Sequence, residues 1–323
     1  MEPTTSTAVS IVIPTHSEKR WASLSRTIGS AQAQTHRAAE IVVVVDHNPE
    51  MAARVKRTFE GVTVLENAYA RGASGNRNTG AFHTRTPFIA FLDDDTVASP
   101  TWLGEQLAPF FADSRVVGTG GGIIPAWERV RPRWMPDELL WTVGVSYTGM
   151  PTTTSPIRNV WSANMIVRRD AFLAVGGFRT GFGKLGDQNR PEDTELCLRM
   201  AAANDGYWVY VPHAVIDHEV PADRSTFGFL MRRCYAEGRG KVQMATFMPK
   251  DQKLGAETDY LRRTLPRAVG RNLVEAGSGR GMFHALRAAT VVAAVFAAAW
   301  GGGVETLAGL FESSAATTSV DNS

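Results

Sequence analysis

The chain has 323 residues, of which 44% are hydrophobic and 20% charged, with a formal net charge of +2. That composition excludes a disordered polypeptide, and the near-neutral balance gives no electrostatic basis for nucleic-acid binding. Two cysteines, Cys197 and Cys234, are too few for a disulfide framework, have no zinc-binding spacing and fit a reducing compartment.

No basic stretch precedes an apolar one near the N-terminus, so a secretory signal is not expected. The first 125 residues alternate between two hydrophobic patterns. VSIVIPT (9–15), with its β-branched residues, EIVVVVDH (40–47), VTVLEN (62–67) and PFIAFLD (87–93) are short apolar runs. The second is apolar at successive positions, as a strand buried on both faces must be. Stretches of helical character lie between them at about 18–36, 50–59 and 72–84. The order β-α-β-α-β-α-β predicts a parallel sheet with crossover helices. Polar groups then fall at the C-terminal strand ends, where open α/β sheets bind ligands: Thr15 and His16, Asp46, Asn67, and Asp93 to Asp95. In SPTWL, Ser99 is an expected N-cap and Pro100 an expected first helical residue.

Residues 126–160, with Trp127, Trp134 and Trp141 among Pro and Arg, predict irregular structure. Residues 159–178 read as a strand, a short helix and a stop at Gly176 and Gly177. PEDTELCLRMAAAND (191–205) opens a helix with acids in its first turn, and GYWVYVPHAVIDHE (206–219) returns as a strand. Residues 224–287 hold 13 Lys and Arg against 5 Asp and Glu. The uncharged, Ala- and Gly-rich run 288–304 follows. It is slightly short for a span, and an interfacial helix or hairpin, an Ala-rich packing helix and a true span all remain open. The last residues, SSAATTSVDNS, read as a disordered tail.

Five groups of residues are suited to chemistry. Asp93, Asp94 and Asp95 repel one another, so either a cation or solvent must relieve the crowding. Hard divalent cations take one or two carboxylates together with substrate phosphates. Strand alternation predicts Asp93 and Asp95 on one side and Asp94 on the other. The small residues of ENAYARGASGNRNTG (66–80) let backbone N–H groups approach a phosphate, with Arg77 adding charge. The alternative is a plain helix start. Asp46 is either a ligand for a base or ribose, or a turn cap. The acids Glu192, Asp193 and Glu195 either cap a helix dipole or include a general base. His218 is either a metal ligand or a polar loop residue.

In their order and spacing, VSIVIPTHSE, AQAQTHRAAEIVVVVDH, GASGNRNTGAFHT, FIAFLDDDTVASPTWL, NMIVRRDAFLAVGGF and EDTELCLRM resemble the family 2 glycosyltransferases over about residues 8–220. HEVPADR and RCYAEGRGK extend the likeness to actinobacterial and archaeal enzymes labelled glucosyl-dolichyl-phosphate glucuronosyltransferases. The resemblance implies a GT-A nucleotide-diphospho-sugar transferase fold, α/β with a mostly parallel central sheet flanked by helices. A GT-A domain is expected over 1–222, a helical, basic and partly apolar extension over 223–310, and a disordered tail over 311–323. The resemblance further implies a UDP- or GDP-sugar donor. Pro14, Thr15 and Asp46 would contact the base, Arg77 would lie by the base or diphosphate, and Asp93 would take the ribose. Asp94 is counted with these donor-binding residues. Asp95 would bind Mg²⁺ or Mn²⁺, His218 falls where some relatives place a metal or diphosphate contact, and Asp193 would be the catalytic base. The QxxRW motif of processive synthases is missing, and RRCYAEG occupies that region. The expected activity is inverting transfer to a hydroxyl acceptor, a saccharide or a lipid-linked one, by a cytoplasmic protein at the inner face of the membrane. The rival classes are a nucleotidyltransferase, whose Gly-rich basic loop after the first strand is lacking in PTHSEKR, and a non-catalytic sugar-nucleotide-binding protein.

Overall fold

The computed structural model describes residues 7–180, 183–185, 188–247, 258–278 and 281–320. They divide into two compact units. The first comprises residues 1–126, 151–187 and 191–219, and the second residues 127–150, 188–190 and 220–323. Segment 127–150 therefore groups with the C-terminal helices.

The first unit is built on β1 (Val9–Thr15), α1 (Trp21–Gln32), β2 (Glu40–Val45), α2 (Pro49–Thr58), β3 (Thr63–Glu66), α3 (Ala73–His83), β4 (Phe88–Leu92), β5 (Thr96–Ala98) and α4 (Trp102–Ala112). It continues with β6 (Val116–Trp127), β7 (Ser155–Ile157), β8 (Asn164–Arg168), α5 (Arg169–Ala174), β9 (Gly183–Leu185), β10 (Gln188–Arg190), α6 (Glu192–Ala203) and β11 (Tyr207–Val220). β10 and the ends of β6 and β11 fall in the second unit.

The nine-stranded sheet runs β3-β2-β1-β4-β8-β6-β11-β5, with β7 on β11. Its first half is parallel, with Ser10 beside Glu40, Thr15 beside Val45, Val9 beside Phe88 and Val45 beside Glu66. β8 pairs antiparallel with β4 and β6, with Leu92 opposite Asn164, and β11 pairs antiparallel with β5 and β7, with Thr96 opposite His218. The sheet is thus mixed rather than wholly parallel. This arrangement puts the ends of β1, β2, β3 and β4, the start of β8 and the end of β11 along one edge.

Both faces of the central strands are covered. Phe91, Phe172 and Phe178 pack as a triangle with ring centroids 5.4–5.7 Å apart. Cys197 is buried and free, as is Cys234 of the second unit. β6 escapes the sequence reading because VVGTGGGII carries glycines where a strand signal needs side chains. They are there for space: a Cβ on Gly118 would enter the Trp208 ring, and one on Gly121 would enter the Ala214 carbonyl. Two further expectations change. Asp93–Asp95 lie beyond the end of β4, in a turn leading into β5. The next helix starts at Trp102, with Thr101 as its N-cap and no side-chain cap bond, because Thr96–Ala98 first pairs with β11.

The second unit contains a 3-10 segment (Asp137–Val143), α7 (Phe227–Phe247), a π-helical turn (Tyr260–Thr264), α8 (Leu265–Gly277) and α9 (Met282–Val320). α9 carries helix through most of the expected tail, to Val320. Part of 127–150 is tied to the π-helical turn: Tyr260 donates to the Glu138 carbonyl, and Trp141 donates to the Tyr260 hydroxyl.

Candidate active site

Every candidate residue lies in the first unit, along the sheet edge just described. Thr15 closes β1, and its hydroxyl donates to Asp94 Oδ2 at 2.5 Å. Pro14 is buried in the strand beside Val44. Asp46 follows β2, and its N–H donates to the Thr15 carbonyl. Its carboxylate accepts from Asn67 Nδ2 at 2.8 Å and from the Gly72 N–H at 3.1 Å. Asp46 therefore fastens the loop ahead of α3 to the end of β2. Gly72, at φ 142°, takes a backbone conformation that suits glycine.

Strand alternation does not hold for the acidic triplet, because Asp93–Asp95 belong to a turn. Asp94, far from pointing away, is 3% exposed and sits between Thr15 and Arg20. Arg20 Nη1 is 2.6 Å from Asp94 Oδ1 and 3.0 Å from Asp95 Oδ2. Asp93 turns instead to Arg77, with Nη2 at 2.7 Å from Oδ1. Burial pushes the Asp94 carboxyl up, and Arg20 offsets only part of that. For Asp93, burial acts in the same direction, yet Arg77 outweighs it and holds the group below its ordinary value.

Arg77 is 4% exposed, so it reaches the site from within α3. Its Nη1 is 3.7 Å from Glu192 Oε1, while Nε and Nη1 have no hydrogen-bond partner. Burial disfavours the guanidinium charge, but Asp93, Asp193 and Glu192 together more than restore it.

Asp193 lies in the first turn of α6. Ser162, ahead of β8, donates to it through both side chain and backbone, while Asp193 Oδ1 is buried with no partner. Burial raises its pKa against the opposing pull of Arg77 and Ser162. Burial, with Asp193 next to it, pushes Glu192 up to about 7, and Arg77 limits the rise. Glu195 has another task. Both its oxygens are held by Arg199, at 2.6 and 2.7 Å, and Arg179 adds a 2.7 Å contact.

His218 comes to the site because β11 lies antiparallel to β5. Its Nε2 is 3.6 Å from Asp95 Oδ1, and its Nδ1 is buried without a partner. Among the described residues no group of three or more His, Cys, Asp or Glu is placed to hold a metal ion. Asp95 and His218, one carboxylate and one imidazole, are donors of the kind a divalent cation accepts, and such a cation would need its other ligands from a bound anion and water.

Sequence reasoning missed Arg20, Ser162 and Asn76, whose side-chain amide donates to the Thr15 carbonyl at 3.3 Å. A signal existed for Arg20: a cation at a helix N-terminus opposes the helix dipole and needs a local reason. Ser162 carried none.

The description Glycosyl transferase family 2 matches residues 10–176. Over 246 residues the chain is 31% identical to the glucosyl-dolichyl phosphate glucuronosyltransferase of Haloferax volcanii, covering 75% of this chain and 79% of that one. It is 32% identical over 101 residues to the UDP-Glc:alpha-D-GlcNAc-diphosphoundecaprenol beta-1,3-glucosyltransferase WfgD of Escherichia coli, covering 31% and 38% of the two chains. Among solved structures, GalNAc-T7 with UDP, GalNAc and Mn²⁺ superposes with a TM-score of 0.52 at 18% identity, over 78% of this chain and 53% of that one. That last likeness bears on the fold alone and agrees with a GT-A architecture. The family match over half of the chain, and a relative aligned over most of both lengths, identify this protein as a member of the family 2 glycosyltransferases.

Proposed function

We propose that this enzyme transfers a sugar, with inversion, from a UDP- or GDP-sugar to a hydroxyl group of a saccharide carried on a polyprenyl lipid or glycolipid. The observation that carries the mechanism is the asymmetry of Asp193: Ser162 anchors the carboxylate while Oδ1 stays buried and unpartnered. A fixed carboxylate with a raised pKa is suited to take a proton at neutral pH. The acceptor O–H would give its proton to Asp193 Oδ1 as its oxygen bonds to the anomeric carbon. The bond from that carbon to the donor phosphate breaks on the opposite side, and its electron pair leaves with the nucleoside diphosphate.

Thr15 and Asp46 border the place for the base, and Asp93, fixed by Arg77, has a second oxygen for a ribose hydroxyl. Asp95 and His218 would hold Mg²⁺ or Mn²⁺. When bound, that ion neutralises charge building on the departing diphosphate. The lipid-linked acceptor is supported by the names of the two relatives, a dolichyl phosphate and a diphosphoundecaprenol enzyme. The expected workplace is the cytoplasmic face of the membrane, where a nucleotide-sugar meets such an acceptor.

The test is to incubate a panel of UDP- and GDP-sugars with purified membranes, in Mn²⁺ or EDTA, using wild type and Asp193→Asn. The expected result is nucleoside diphosphate release from one donor, abolished by EDTA. It should fall about 10²- to 10⁴-fold in Asp193→Asn with donor affinity unchanged. Full activity in Asp193→Asn would refute its role as base. Pyrophosphate release would mark nucleotidyl transfer, and donor binding without turnover would mark a binding protein.

A further inference from the structure

In the second unit, one helix among the described residues is long and apolar enough to cross a membrane: Met282–Ala308, within α9. Only 22% of its most apolar stretch is buried inside the protein, so it is not a core helix. At about 100° per residue, Met282, Leu286, Phe296, Trp300 and Leu307 fall within about 40° of a single line along the helix. All are exposed, Phe296 and Trp300 to 71% each. The opposite face, with Val291, Ala294, Ala298 and Gly301, meets α7. A Cβ on Gly238 would enter the Ala298 backbone, and one on Gly301 would enter that of Tyr235.

The charges follow the same division. The charged residues of 282–308, Arg287 and Glu305, are both engaged by protein: Arg287 donates to the Arg133 carbonyl, and Glu305 accepts from Arg239 at 2.7 Å and from Gln243 at 2.6 Å. α9 thus turns an uncharged, apolar stripe outward for about 38 Å. Water is a poor partner for such a surface.

We propose that α9 lies in the plane of an anionic phospholipid surface, its outward stripe among the acyl chains and α7 on the aqueous side. Two observations choose this occupant and orientation. First, α7 is packed against α9 and carries Arg232, Arg233, Glu237, Arg239 and Lys241. Spanning would carry these charges into hydrocarbon, which disfavours basic residues near the bilayer centre. Lying flat leaves them in water. Second, the N-terminal end of the stripe is rimmed by headgroup-binding chemistry. The Arg133 guanidinium stands 5.2 Å from the Phe283 ring, and Trp134 packs edge-on to the half-exposed Phe227 at 5.6 Å. Cations and amphipathic aromatics belong at that level of a membrane. The 13-to-5 excess of basic over acidic residues in 224–287 adds attraction to an anionic leaflet. The proposal is independent of the sugar chemistry above.

The test uses the full chain with phosphatidylglycerol vesicles. Co-sedimentation is expected for wild type and reduced by about tenfold or more in Phe296→Glu/Trp300→Glu, with circular dichroism and donor hydrolysis in solution unchanged. Lipids brominated near the headgroup should quench wild type more than Trp300→Phe, which keeps the stripe apolar and needs no destabilising charge. With vesicle-bound protein, an impermeant maleimide should label both Ser278→Cys, ahead of the stripe, and Thr306→Cys, near its far end and off its line. Undiminished binding by the double Glu variant overturns the proposal, as does equal quenching of wild type and Trp300→Phe. Protection of one of the two cysteines would mean a span. A lipid-free dimer that the double Glu variant converts to monomer would mean a second copy covers the stripe.

Discussion

The sheet edge carries two acidic clusters that differ in how their charge is balanced. Asp93, Asp94 and Asp95 each have an arginine within 3.0 Å: Arg77 on the first, Arg20 on the other two. Glu192 and Asp193 share only the far side of Arg77, 3.7 Å from Glu192, and Asp193 keeps an oxygen with no partner. A carboxylate locked to a cation is a fixed frame on which a ligand can be placed. One held by neutral donors and pushed toward neutrality by burial is the group that can take up a proton and release it. Arg77 belongs to both clusters, and the difference between them depends on it.

Removing Arg77 is therefore the strongest way to break the contrast. Arg77→Met leaves Asp93, Glu192 and Asp193 without their buried cation and is expected to cost about 3–5 kcal/mol of stability, read as a fall in denaturation midpoint. Unchanged stability would show that the three carboxylates do not depend on it.

Glu192→Gln sharpens the contrast from the other side. Burial and the charge of Asp193 lift the Glu192 carboxyl from 4.5 to about 7. With a raised folded value, its favourable contribution is complete below the unfolded value and is lost as pH rises through about 7. The variant should melt higher than wild type at pH 8, by about 2–5 °C, and the gap should close as pH falls toward 4.5. A pH-independent melting difference would refute the burial of charge at this position.

The smallest effect is expected at Arg20. Its guanidinium already occupies one side of Asp95, so Arg20→Met should bind Mn²⁺ several-fold more tightly in the absence of donor, and His218→Ala more weakly, by paramagnetic resonance of free Mn²⁺. Weaker binding in Arg20→Met would show instead that the arginine prepares the site for the ion.

Much of this was legible in the sequence wherever a single local rule governs. The apolar runs ending at Thr15, Val45 and Leu92 gave β1, β2 and β4 and put polar residues at their ends. PEDTE gave the start of α6. What could not be read is what depends on neighbours distant in the chain. β6 is hidden by glycines whose partners, Trp208 and Ala214, lie about ninety residues later. Ser162 matters only because β8 starts beside the end of β4. The directions of the acidic side chains follow from a turn, whereas alternation assumed a strand. Arg77 was placed by charge next to a phosphate, and its burial inside the carboxylate cluster could be seen only once α3 had been laid on the sheet.

The gathering of functional groups at one sheet edge also determines where the chain can be altered for practical use. The segment 59–62, which joins α2 to β3, enters the sheet at the opposite end of that strand. Gly61 there has φ 69° and nothing within 4 Å of where a side chain would stand. An epitope or fluorophore-binding peptide spliced in at Gly61 would stand at the end of the sheet away from those groups. Such a reporter could follow the protein while the acidic clusters stay untouched.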